Sequence, residues 1–287
     1  MKTRVDMKKE TTSEITKLPV TFGSGDVKLT GEILFPNAKH PVPGAILCHG
    51  LGSGYRAVES SARIIANHGV AVLIFDFRGH GCSSGILDGN MVEDVVDAWH
   101  FLSMFPGIHK RRIALIGHSM GAMAAILAAR KVKPRALIAL SCPPEVDSSL
   151  TASDLATLNN WIKRGSTVEE CPRDGAFPWQ KGLVAILTRV WMYLAGYNLS
   201  VDWRAFFEAL KGAQMSAVLH DLTGCSTLFV HCRGDSLTPY RAAVELYEHA
   251  EQPKDLLLAR GGSHSTPLLP GNLRRQWTEW AVHTLTA

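Results

Sequence analysis

An α/β fold is predicted: a mostly parallel central sheet covered on both faces by helices, carrying one inserted, mainly helical cap. Two observations predict it. Short continuous apolar runs of strand length recur along the chain with helix-length segments between them, the pattern of buried parallel strands joined by crossover helices. One interval of roughly eighty residues, between Leu140 and Thr227, breaks that rhythm and holds no strand-like run of comparable strength.

The elements follow in order. Val27 to Leu34 alternates polar and apolar residues and reads as an antiparallel edge strand at the N-terminus. Continuous apolar runs at Ala45 to Cys48, Val70 to Phe75, Ile113 to Ile116, Ala136 to Leu140, Thr227 to Val230 and Asp255 to Leu258 read as buried central strands. Helices fit between them at about Ala57 to Asn67, Met91 to Met104, Gly121 to Lys131, Tyr240 to His249 and Leu273 to Leu285. The insertion, residues 141–221, offers helices at Ala152 to Arg164, Leu183 to Ala195 and Trp203 to Leu219, rich in aromatic residues. The core is then 20–140 with 222–287, and 1–19 is a flexible N-terminal segment.

Composition narrows the function classes. The 287 residues are 46% hydrophobic and 20% charged, ordinary for a globular protein with a sizeable core. A net charge of +4 from 30 basic and 26 acidic residues is too weak for a nucleic-acid footprint. The first residues lack the apolar core of a secretory signal, so a cytoplasmic location is expected. The most apolar stretch, Gly182 to Val201, is interrupted by Arg189 and does not read as a membrane span. Six cysteines without a C-x-x-C pair read as free thiols, and the twelve histidines show no metal-site spacing. No cofactor or metal is expected.

The most informative motif is Gly117-His118-Ser119-Met120-Gly121, lying between the apolar run at Ile113 and the alanine-rich stretch from Ala122. A strand-to-helix turn this tight strains the serine backbone, and a side chain at 117 or 121 would collide with the neighbouring strand and helix. It pushes the Ser119 hydroxyl out at a helix N-terminus, where the Met120 amide can meet a developing negative charge. A serine hydroxyl needs a base, and the base needs an orienting acid. Asp235 follows the strand ending at Val230, and His264 follows the next strand, so both stand at the edge of the sheet where Ser119 stands. Glu145, just past Leu140, is the rival for the acid. The Cys48-His49-Gly50-Leu51-Gly52 turn supplies a second donor, so Leu51 and Met120 are the expected oxyanion pair. His49 is read as a loop-holding residue, and His80, His118, His220 and His231 as structural or surface histidines.

These residues resemble the α/β-hydrolase superfamily from about Val20 to Leu285. The H-G-x-G loop at 49–52, the turn Asp76 to Ser83, the elbow, the H-x-x-x-D-x-x-T-P loop and Gly261-Gly262-Ser263-His264 match its pattern in order. Within it, the chain looks most like microbial serine esterases of the cinnamoyl esterase, monoacylglycerol lipase and lysophospholipase type. Cys232 departs from the glycine usual after the histidine. The resemblance implies a cofactor-free serine hydrolase acting on a small-molecule ester with apolar acyl or aryl groups, through Ser119, His264 and Asp235. Trp191 and Phe206 are the expected substrate-binding residues. Thioester or amide cleavage, and a non-catalytic ligand receptor, are the alternatives. The oligomeric state, a homodimer included, is left open.

Overall fold

The computed structural model describes residues 15–38, 41–145, 169–171 and 199–287. Its strands are β1 (Ile15–Ser24), β2 (Val27–Pro36), β3 (Val42–Cys48), β4 (Ala71–Phe75), β5 (Ile108–His118), β6 (Ala136–Leu140), β7 (Glu169–Cys171), β8 (Leu199–Val201), β9 (Ser226–Cys232) and β10 (Lys254–Ala259). The helices are α1 (Arg56–Asn67), α2 (Met91–Met104), α3 (Met120–Val132), α4 (Trp203–Lys211), α5 (Met215–Asp221), α6 (Arg241–His249) and α7 (Asn272–Thr286).

Eight strands form one sheet in the order β1-β2-β4-β3-β5-β6-β9-β10. β2 runs antiparallel to both β1 and β4, and every other pairing in that sheet is parallel. The parallel strands are apolar on both faces because helices cover both: all five residues of β4 and of β6 are buried. Successive side chains point to opposite faces, so Ile46 joins the cluster under α2 and α3 while Leu47 joins the one under α1 and α7.

Three expectations change. The edge strand is β1, not Val27 to Leu34, which lies one position in. Residues 15–19 therefore belong to a strand and not to a flexible segment. β1 escapes recognition because it carries Thr16, Lys17, Pro19 and Thr21, polar or donor-poor residues that an exposed edge tolerates. Asp255 to Leu258 lies in β10, the opposite edge, and has one neighbour only, so its residues are mostly half-buried and not central. The helix expected over Trp203 to Leu219 is two, α4 and α5, separated at Gly212 to Gln214, where glycine costs helix stability.

Of the insertion, β7 and β8 pair antiparallel, and the stretch after Leu199 is tied to the loop at 79–87. The Ser200 amide donates to the Gly79 carbonyl (2.7 Å), the Leu87 amide to the Ser200 carbonyl (2.8 Å), and the Asp202 amide to the Leu87 carbonyl (2.9 Å). Gly79 has φ 69°, and a Cβ there would stand 2.3 Å from the Ser200 oxygen, so glycine is what lets the chains meet. The helices expected at 152–164 and 183–195, with Trp191, lie outside the described residues.

Candidate active site

Ser119 stands between β5 and α3 with φ 54° and ψ −122°, a backbone conformation that L-residues rarely adopt. Its surroundings enforce the bend. A Cβ on Gly117 would lie 2.1 Å from the Gly121 oxygen, and one on Gly121 would lie 2.4 Å from the His49 oxygen. The turn therefore closes only with two glycines, and it packs directly on the loop that follows β3.

That loop is held by buried polar groups. His49 accepts from the Phe77 amide at Nε2 (3.1 Å), so its Nδ1–H donates to the Gly50 carbonyl (2.8 Å). His80 accepts from the Gly52 amide at Nε2 (3.1 Å), and its Nδ1–H donates to the Arg78 carbonyl (3.1 Å). Asp76 accepts from the Tyr55 and Cys82 amides at 2.8 and 3.0 Å. Arg78, in turn, binds the buried Asp94 through Nε and Nη2 at 2.7–3.1 Å. Burial drives the pKa of His49 down to about 4 and that of His80 to about 3, so both stay neutral and act as fixed donors and acceptors. Neither the Leu51 nor the Met120 amide donates to another group among the described residues.

Asp235 and His264 come from the loops after β9 and β10. His264 Nδ1 lies 2.8 Å from Asp235 Oδ2. The two loops touch at Gly234, where a Cβ would stand 2.7 Å from the Gly262 oxygen. Burial pushes the Asp235 pKa up, but the Thr238 amide, His264 and the Leu237 amide outweigh it and hold the group below the ordinary carboxylate range. The His264 carbonyl is fixed by His118 Nε2 (3.0 Å) and Ser141 Oγ (2.9 Å), and the His118 and His264 rings lie 4.9 Å apart. His118 directly precedes Ser119, so one residue ties the histidine loop to the elbow. His264 Nε2 is buried and has no partner among the described residues, so it is not hydrogen-bonded to Ser119 in this structure.

These loops can be compared with known proteins. A family model described as "Serine aminopeptidase, S33" (Hydrolase_4) matches residues 40–268, most of the chain. The chain belongs to that family. It has the α/β-hydrolase fold. Among curated relatives, the chain is 32% identical over 144 residues to a thiohydrolase, aneE, of Aspergillus aculeatus, covering 48% of this chain and 43% of the relative, so the chain spans less than half of that protein's length. Among solved structures it resembles DcsB in complex with its substrate analogue (TM-score 0.75, 18% identity, 94% of this chain and 98% of that one). It also resembles Est1E from Butyrivibrio proteoclasticus with ferulic acid bound (TM-score 0.65, 18% identity, 93% and 98%). A monoacylglycerol lipase of Paleococcus ferrophilus is similar too (TM-score 0.64, 16% identity, 94% and 99%). Among the described residues, no helix is long and apolar enough to cross a membrane.

The remaining candidates fall in different places. Glu145 binds the Ser216 amide (2.5 Å) and hydroxyl (2.9 and 3.0 Å) at the start of α5, and no hydrogen bond or ion pair joins it to His264. Phe206 is 4% exposed and packs against Trp203 and Phe207 within the apolar cluster under α2 and α3. Sequence reasoning assigned no role to Thr238 or Ser141, which hold Asp235 and His264. Thr238 sits three residues past Asp235, the spacing at which an aspartate accepts from backbone and hydroxyl in a tight turn, and that spacing could have found it.

Proposed function

We propose that this protein cleaves carboxylic esters of uncharged, apolar acyl or aryl groups, with Ser119 as nucleophile, His264 as base and Asp235 as its orienting acid. The observation that carries the proposal is the 2.8 Å contact between His264 Nδ1 and Asp235 Oδ2, which leaves Nε2 as the free basic nitrogen on the loop tied to the elbow. As Ser119 Oγ bonds to the carbonyl carbon, its proton passes to Nε2, and the carbonyl oxygen becomes an oxyanion facing the Leu51 and Met120 amides. Collapse breaks the ester C–O bond, and the alcohol leaves with the proton from His264. Water then loses a proton to His264 and attacks the acyl carbon, after which the acid departs and Ser119 regains its proton.

Labelling with a fluorophosphonate, together with p-nitrophenyl esters of increasing acyl length, tests this. Wild type is expected to be labelled at Ser119, and S119A to lose labelling and at least roughly a thousandfold in kcat while keeping its fold. An S119A protein that kept a tenth of the activity would refute the assignment. Two curated relatives that are thiohydrolases, each 32% identical over less than half of this chain, favour thioesters as a second reading. A matched pair of oxygen ester and thioester, compared by kcat/KM, separates the two.

A further inference from the structure

Asp235 is held by much more than its histidine. Oδ1 accepts from the Leu237 and Thr238 amides at 2.9 and 3.0 Å. Oδ2 accepts from the Thr238 hydroxyl (2.9 Å) and from His264 Nδ1–H (2.8 Å), and the His231 Nε2 atom lies 3.2 Å away. The Thr238 hydroxyl is at the centre of this cluster. It lies 3.1 Å from His264 Nδ1 and 3.3 Å from His231 Nε2, and it is buried.

Counting protons decides the tautomers. A hydroxyl has one hydrogen, and the one on Thr238 is given to Asp235, so only its lone pairs face the two imidazoles. His264 Nδ1 then has two acceptors in reach, a carboxylate oxygen and that hydroxyl oxygen, and must be the protonated nitrogen. Nε2 is left bare, the form a general base requires. His231 Nε2 likewise faces only acceptors, the Thr238 carbonyl at 3.1 Å and Asp235, and so carries its ring's proton. Its Nδ1 is buried without a partner among the described residues, so a second proton there would be an unpaired N–H in the core. Burial accordingly lowers the His231 pKa, and the ring acts as a neutral donor.

We propose that Thr238 is a positioning residue for His264: its hydroxyl fixes the Asp235 oxygen that meets the imidazole and locks the tautomer with Nε2 free. The inference rests on the ester-hydrolase reading above and adds a residue to it. Valine in its place has nearly the same shape but sets a methyl about 3 Å from Oδ2 and Nδ1, inside carbon contact distance, so carboxylate and imidazole must separate slightly. Small misplacements of this kind act on the chemical step and not on substrate binding.

The test compares wild type, T238V and T238S on one p-nitrophenyl ester across pH, after fluorophosphonate labelling has established Ser119 in the wild type. T238V is expected to lose roughly tenfold in kcat with KM within about twofold, and to displace the acid limb of the kcat profile. T238S keeps the hydroxyl and is expected to restore both, to within about threefold in kcat. A folded T238V with wild-type kcat and acid limb, or a loss that T238S does not repair, overturns the proposal. Should T238V not fold, T238A, which also removes the hydroxyl, carries the same expectations. Absence of labelling at Ser119 in wild type would instead remove the reading beneath it.

Discussion

Acid should unfold this protein through the histidines that build its site. His49 and His80 are fully buried and His118 is 7% exposed. Burial lowers their pKa values to about 4, 3 and 4 respectively. Released into water, each returns to a pKa of about 6.5. Between about pH 6.5 and pH 4 the unfolded chain therefore binds more protons than the folded one, and stability falls as pH falls. Each such proton is worth about 1.4 kcal/mol per pH unit. From pH 7 to pH 5 the three together remove about 5 kcal/mol, comparable with the whole stability of a small domain. His231, also lowered by burial, adds in the same direction. Asp76 and Asp94, which burial holds above the ordinary carboxylate range, oppose the effect as they titrate. Urea unfolding at pH 7, 6 and 5, extrapolated to water, measures the slope. H80Q is expected to reduce that slope by about one proton, whatever it does to stability at pH 7. A stability that stays flat from pH 7 to pH 5 would refute the reasoning.

Other consequences are as direct. E145Q is expected to leave kcat within a few-fold of wild type, because Glu145 serves Ser216, and a loss as large as that of D235N, read by steady-state kinetics, would return the acid role to it. G121A is expected to abolish activity and lower the thermal midpoint, since its Cβ would meet the His49 oxygen at 2.4 Å; an active, stable G121A would contradict the packing of the elbow. F206A is expected to cost about 3–5 kcal/mol in urea unfolding and to slow short and long esters alike, because Phe206 packs in the core. A change in chain-length profile without loss of stability would make it a pocket residue instead. D94A, which removes the buried bidentate partner of Arg78 and leaves it only the half-buried Asp88 at 3.5 Å, is expected to destabilise by about 3 kcal/mol in the same assay.

Local pattern determined a good deal. The apolar runs located β3, β4, β5, β6 and β9 because a strand covered on both faces must be apolar throughout, and the run at Leu256 to Leu258 located β10, though at an edge. The spacing of Gly117 and Gly121 about Ser119 announced the elbow: a Cβ at Gly117 meets Gly121 four residues on, although the contact that excludes one at Gly121 comes from the distant His49 loop. The same pattern was silent about β1, whose polar residues and Pro19 are legible as a strand only once β2 lies beside them. It put Asp235 ahead of Glu145 by order and motif, but it could not set either carboxylate against the imidazole, since both follow strands.

Only the tertiary structure shows which carboxylate meets the imidazole: β9 lies between β6 and β10, so the Asp235 and His264 loops touch at Gly234, while Glu145 meets the start of α5. It likewise brought Thr238 and His231 around one carboxylate oxygen and packed Phe206 among buried apolar side chains. The reason lies in range. Periodicity and turn chemistry are written in neighbouring residues and survive in the sequence. A hydrogen bond forms only within about 3 Å and in the right direction, so its partners across the fold depend on strand order, loop packing and rotamer, none of which a local pattern contains.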